Sequence, residues 1–191
     1  MRLRAAIVAF FFLVVLVGAF TPRCSQAGTR LHVNAYDAHM QRASLRWLPE
    51  HDWRWLRAQC YQESRFNARA VSPAGARGLC QFMPGTWSDA QRALGVRDVY
   101  NPGQNAWAAG WYMRRQLNRW VWDRTDHQRL QLAQASYNAG FGHILHAQRL
   151  CGGARAWEQI APCLHRVTGH HSQETIQYVK QIDRWYRMQV Q

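Results

Sequence analysis

Apolar residues are distributed along this chain in two ways. At the start they are continuous: Met1-Arg2-Leu3-Arg4 leads into an apolar run from Ala5 to Phe20. After about residue 50 they recur at helical spacing. Trp53, Leu56 and Cys60 fall on one face of a helix predicted from Asp52 to about Glu63. Pro84-Gly85-Thr86 opens a second helix, with Thr86 and Asp89 as a cap-like pair and Gly95 as its stop. A third covers Asn105 to Asn118, where Ala106, Ala109, Gly110, Met113 and Leu117 lie opposite Arg114 and Arg115. Leu130 to Tyr137 continues in this style and ends near Gly140. The last helix, Gln173 to about Met188, turns Ile176, Val179, Ile182 and Tyr186 inward. Ser72-Pro73-Ala74-Gly75-Ala76 breaks the pattern as a loop, and Gly78 to Gln81 is short enough for an extended segment. No long alternating strand occurs. The fold class is α+β, mainly helical with at most a small sheet. One domain, 46–191, follows a polar connector or weak helix at 28–45.

The apolar run has the layout of a secretory signal and falls short of the ~20 residues a spanning helix needs. Ser25-Gln26-Ala27 places small residues where a signal peptidase reads, before Gly28. The rival reading is a retained anchor, with membrane association through residues 5–20. Arg23 beside Cys24 argues against lipidation there. Cleavage after Ala27 would leave Cys60, Cys80, Cys151 and Cys163, an even count that suggests two disulfides in an exported chain. Local geometry favours Cys151–Cys163, closing a loop with Gly152, Gly153 and Pro162, and leaves Cys60–Cys80. Buried thiols are the alternative. No CxxC pair exists, so no zinc is expected.

Charge narrows the partners. The formal net charge is +13, and Lys180 is the only lysine. Such a balance favours an anionic matrix: wall polymer, membrane surface or nucleic acid. No run of five basic residues occurs, which speaks against a nucleic-acid tail, and no specific nucleic acid is expected.

Four short motifs carry the chemistry. In order they are Gln62-Glu63-Ser64-Arg65-Phe66-Asn67, then Ser72-Pro73-Ala74-Gly75-Ala76-Arg77-Gly78-Leu79-Cys80-Gln81, then Ser136-Tyr137-Asn138-Ala139-Gly140, and Glu174-Thr175-Ile176-Gln177-Tyr178-Val179. Glu63 ends a helix, where the helix dipole disfavours negative charge, and Phe66, Leu79 and Phe82 are candidates to desolvate it. A glutamate so placed can donate a proton to a glycosidic oxygen. On composition alone it would read as an ordinary surface residue. Set among these motifs, over about residues 50–185, the sequence resembles the soluble lytic transglycosylase branch of the lysozyme superfamily.

The resemblance implies a lysozyme-like fold and cleavage of the β-1,4 bond between N-acetylmuramic acid and N-acetylglucosamine, with a 1,6-anhydro product. Glu63 would be the single catalytic acid and base, assisted by the substrate's own N-acetyl group, with no metal and no cofactor. Ser64, Gln81, Tyr137, Asn138 and Tyr178 match the family's sugar-contact positions. Cys80 stands where the usual Gly-Leu-Met-Gln motif has methionine, and Ser136 where alanine precedes the tyrosine. Asp89 and Asp98 are the other acids considered as helpers, and His170, His171 and Glu174 read as a solvated cluster. Trp107, Trp111, Trp120 and Trp122 are expected to pack and not to bind sugar. The protein implied is an exported monomer acting on peptidoglycan strands, in the periplasm or anchored to the inner membrane. Phage endolysin and small bacterial enzyme both fit. A hydrolytic muramidase of the same fold and an inactive wall-binding module are the alternatives.

Overall fold

A computed structural model describes residues 35–191; the leader, its membrane reading at residues 5–20 and the first part of the connector lie outside the described residues. Helix α1 (Asp37–Trp47) leads into α2 (Arg54–Ser64), followed after an irregular loop by α3 (Pro84–Leu94) and α4 (Pro102–Leu117). Then come α5 (Asp126–Ala139), α6 (Phe141–Leu150), the single turns α7 (Trp157–Ile160) and α8 (His165–Thr168), and the long α9 (Ser172–Val190). Among the described residues the small sheet reduces to two isolated antiparallel bridges, Val71 with Arg77 and Arg77 with Phe82.

Helix α2 lies between two apolar clusters. Leu56 and Cys60 face one cluster with α1, α3 and α4, which includes Met40, Leu79, Phe82, Met113 and Leu117. Ala58 faces the other, built on α5, α6 and α9 around Leu132, Ile144, Val179 and Ile182. A helix buried on both sides cannot keep a polar stripe as wide as a surface helix does. Hence even Arg57 is 2% exposed. Its guanidinium donates to Asp37 Oδ1 at 2.6 Å and to Gln189 Oε1 at 2.9 Å, tying α1, α2 and α9 together.

Two boundaries differ from the sequence reading. Residues 37–45 take the weak-helix alternative, as most of α1, and pack into the body: Met40 and Ala43 are fully buried. At Gly110 an added Cβ would meet the Ala43 carbonyl oxygen at 3.2 Å, so α1 and α4 approach through their backbones. Two small buried contacts among polar neighbours give little apolar periodicity, which left this helix a weak reading in the sequence. Thr86 and Asp89 do not cap α3, which starts earlier, with Pro84 in its first turn; Asp89 pairs with Arg92 instead. Gly95 does end α3, in the left-handed conformation with φ +71°. Trp120 is 2% exposed, its Nε1 donating to Ser136 Oγ at 3.0 Å, whereas Trp122 is 79% exposed and does not pack as expected.

Both cysteine pairs are bonded, Cys60–Cys80 with Cα atoms 4.5 Å apart and Cys151–Cys163 with Cα atoms 5.9 Å apart. Cys60–Cys80 closes a loop with a sequence separation of 20. Loop closure of that size stabilises by about 3 kcal/mol through the unfolded chain. Replacing both cysteines by serine should lower the denaturant midpoint accordingly; an unchanged midpoint would show that the loop is held without the bridge.

Candidate active site

Glu63 is the last residue but one of α2, half-buried where α2 meets α9. Its Oε1 accepts a hydrogen bond from the Tyr178 hydroxyl at 2.5 Å. The carboxyl faces a cleft of about 410 Å³, lined from α2 by Gln62 and Glu63, from α5 by Asn138, and from α9 by Glu174, Gln177 and Tyr178, among others. Burial pushes the Glu63 pKa up to about 8. The Tyr178 hydrogen bond opposes this shift, and the Glu174 charge adds to it. Its place at the helix C-terminus acts in the same direction as burial. Glu63 therefore holds its proton at neutral pH.

The tyrosines match that state. Burial first, then the Glu63 charge, raises both Tyr137 and Tyr178 well above their ordinary values, so both stay hydrogen-bond donors. Glu174 is also raised by burial, while a hydrogen bond from Asn138 and the charge of His171 oppose the rise. The Asn138 carbonyl oxygen in turn accepts from Thr175 Oγ1 at 2.7 Å. Asn138 thus links α5 to two residues of α9 and presents Glu174 to the cleft.

The site residues expected from sequence divide into two groups. Asn138 and Tyr178 line the cleft beside Glu63. Ser64, Gln81 and Tyr137 instead commit their hydrogen bonds to the loop that carries Cys80. Ser64 donates to the Leu79 carbonyl at 2.7 Å, and Tyr137 to the Cys80 carbonyl at 2.7 Å. Gln81, 5% exposed, donates from Nε2 to the Gly78 and Ala70 carbonyls at 2.9 and 3.2 Å. Asn105, unremarked in the sequence, completes the set: it accepts from the Cys80 N–H and donates to the Val99 carbonyl, each at 2.8 Å. The loop is tight enough to require glycine at 78, where φ is +81° and an added Cβ would lie 2.3 Å from the Val99 oxygen.

Phe66 lies outside the cleft lining and packs on Tyr36 and Tyr61. Leu79 and Phe82 are buried in the first apolar cluster. Asp89 and Asp98 lie outside the cleft lining, Asp98 accepting from the Tyr100 N–H at 2.8 Å. Glu174, grouped with the histidines in the sequence reading, belongs to the cleft. Its signal was its position four residues before Tyr178, on the same helix face.

The profile described as Transglycosylase SLT domain matches residues 43–160. The chain belongs to this family. A relative from Aliivibrio fischeri, named membrane-bound lytic murein transglycosylase F, is 33% identical over 186 residues, covering 82% of this chain and 37% of its own. The protein of that name from Vibrio cholerae (strain ATCC 39315 / El Tor Inaba N16961) is 36% identical over 141 residues, covering 70% of this chain and 24% of its own. The chain therefore spans about a third or less of the length of these relatives. Among solved structures, the 70 kDa soluble lytic transglycosylase of Escherichia coli aligns with TM-score 0.61 and 25% identity, over 80% of this chain and 24% of that one. Lytic transglycosylase Slt of Pseudomonas aeruginosa, an inactive mutant, aligns with TM-score 0.63 at 24% identity, over 80% of this chain and 23% of that one. The fold is the mainly helical, lysozyme-like fold of SLT domains. The matched profile ends before α9, which supplies Glu174 and Tyr178.

The raised pKa of Glu63 links proton uptake to folding. Its carboxyl favours the native state fully only below its ordinary value of 4.5, and that contribution is lost as pH rises toward 8. The stability of the Glu63→Gln variant relative to wild type should therefore grow across this window, by at most about 1.4 kcal/mol per pH unit. Melting at several pH values measures it; parallel curves would place Glu63 in solvent. Tyr178→Phe removes the donor that favours the charged form. The alkaline limb of any activity should then move to higher pH, with the rate about 10- to 100-fold lower.

Proposed function

We propose that the chain is a peptidoglycan lytic transglycosylase that cleaves the β-1,4 bond between N-acetylmuramic acid and N-acetylglucosamine. The observation that carries this reading is the Glu63 carboxyl held by Tyr178 at the wall of an open cleft, where burial raises its pKa to about 8. Glu63 gives its proton to the glycosidic oxygen as the bond from the muramic C1 to that oxygen breaks. The substrate's N-acetyl oxygen supports C1, and the Tyr178 hydroxyl holds the carboxylate that remains. The muramic C6 hydroxyl then attacks C1 and passes its proton to Glu63. The 1,6-anhydro ring closes, the acid is restored, and no water is consumed.

One observation favours a second reading. Glu174 places another carboxylate in the same cleft, and a pair of acids is what a hydrolase uses to activate water. The relatives' names and the family resemblance favour the anhydro product. They also support a site of action at the wall, outside the inner membrane, with residues 1–27 either removed or kept as an anchor.

The test is mass spectrometry of sacculi digested by the protein beside a Glu63→Gln control. Anhydromuropeptides should appear, and Glu63→Gln should release them about 10²- to 10⁴-fold more slowly. Reducing-end muropeptides, lost on Glu174→Gln, would establish the hydrolase. No release by the wild-type protein would leave a wall-binding module.

A further inference from the structure

We propose that Arg65, seated on the rings of Tyr61 and Trp185, is a carboxylate-binding subsite for the peptide stem borne by muramic acid. The proposal rests on the glycan-cleaving reading of the cleft and adds a contact to it. Trp185 Nε1 donates to Gln62 Oε1 at 2.9 Å, and Gln62 lines the cleft next to Glu63. Glu174, Tyr178 and Trp185 follow one another at spacings of four and seven, so they share one side of α9. The cleft and the aromatic pair therefore lie along a single seam between α2 and α9.

At the far end of this seam the Arg65 guanidinium carbon lies 4.7 Å from the Tyr61 ring centre and 4.8 Å from that of Trp185. The two rings meet edge-to-face at 5.0 Å. Arg184 approaches Trp185 as well, at 5.6 Å. The backbone is bent to achieve this: Arg65 and Phe66 have φ of +53° and +64°, two successive left-handed residues where glycine would be ordinary. Such geometry in side-chain-bearing residues persists where the surroundings impose it, and it concentrates at functional sites. Here it ends α2 and turns Arg65 back over the rings.

Arg65 is exposed, and no carboxylate forms a salt bridge with it among the described residues. Asp183, two residues before Trp185, is engaged by Arg187 at 2.8 Å. A guanidinium stacked on aromatic faces keeps its edge N–H donors for a planar, bidentate partner. On peptidoglycan the lactyl group is tied up as an amide, so the anions next to the scissile bond are carboxylates of the stem peptide.

The experiment compares native sacculi with sacculi whose carboxylates have been converted to amides by carbodiimide and ammonia. Arg65→Gln should lower kcat/KM on native sacculi about tenfold and leave cleavage of amidated sacculi within about twofold of wild type, with Arg65→Lys between the two. Arg97→Gln, which makes the same change in net charge on the α3–α4 connection, should cut both substrates at wild-type rates. Equal losses on the two substrates for Arg65→Gln, or no loss on either, would overturn the subsite. If Arg65→Gln does not fold, the wild-type protein decides: a several-fold preference for native over amidated sacculi is required, and equal rates reject the idea. Failure of the wild-type protein to cut native sacculi would instead remove the glycosidic reading beneath it.

Discussion

The structure depends on keeping one carboxyl dry beside an open cleft. A solvated Glu63 would be ionised at neutral pH and useless as an acid; burial between α2 and α9 lifts it to about 8. That burial requires α2 to be clamped from both sides. The clamp is visible in the two apolar clusters that share α2, and in the buried Arg57 that joins α1, α2 and α9. Opening the α2–α9 seam would admit water and lower the Glu63 pKa. The Tyr178 hydroxyl sits in the same seam as a donor to Glu63 and favours its charged form. Burial and this hydrogen bond, which act on the Glu63 pKa in opposite directions, are thus set by one interhelical contact.

A second constraint fixes the loop that runs from α2 to α3. Four contacts from three helices grip its Gly78–Phe82 segment: Ser64 and the Cys60–Cys80 bond from α2, Asn105 from α4, and Tyr137 from α5. The Arg77–Phe82 bridge closes its base with two backbone bonds of 2.9 Å. Such convergence explains why Gln81, with φ +50°, is tolerated outside the ordinary regions. Each of the three hydrogen bonds alone is worth about 1 kcal/mol, and the disulfide adds about 3 kcal/mol. Together they fix the loop against α2, α4 and α5.

Much of the fold was legible because helical periodicity survives wherever a helix has one buried face. Helices α4 and α9 show this, with Met113 and Leu117 on one and Val179 and Ile182 on the other buried as their spacing required. Helix α1 was legible only as a weak helix because its burial rests on Met40, Ala43 and a close backbone approach at Gly110, which leaves little apolar signal. Among the motif residues, Glu63, Asn138 and Tyr178 line one cleft, but motif order alone does not say so. It could not distinguish a side chain that reaches the cleft from one that holds the loop behind it. Ser64, Gln81 and Tyr137 are of the second kind, and that difference lies in side-chain direction and not in residue type. Asn105 stood in the sequence only as a helix start and Arg65 only as one member of the first motif; the hydrogen bonds of the first and the ring contacts of the second come from tertiary neighbours.

Charge raises an apparent conflict. A chain with formal net charge +13 should stabilise carboxylates and pull Glu63 down, not up. Part of the positive charge is paired: Asp37, Glu50, Asp52, Asp89, Asp123, Asp126 and Asp183 each meet an arginine. Arginines at the surface act across water, and salt screens them beyond about 8–10 Å. Glu63 has no such partner; its near neighbours are two neutral tyrosines and Glu174. Of the two cleft acids, Glu174 has Asn138 and His171 to favour its charged form, and Glu63 has Tyr178 alone. The Glu174 charge opposes ionisation of Glu63, so their surroundings drive the two acids apart.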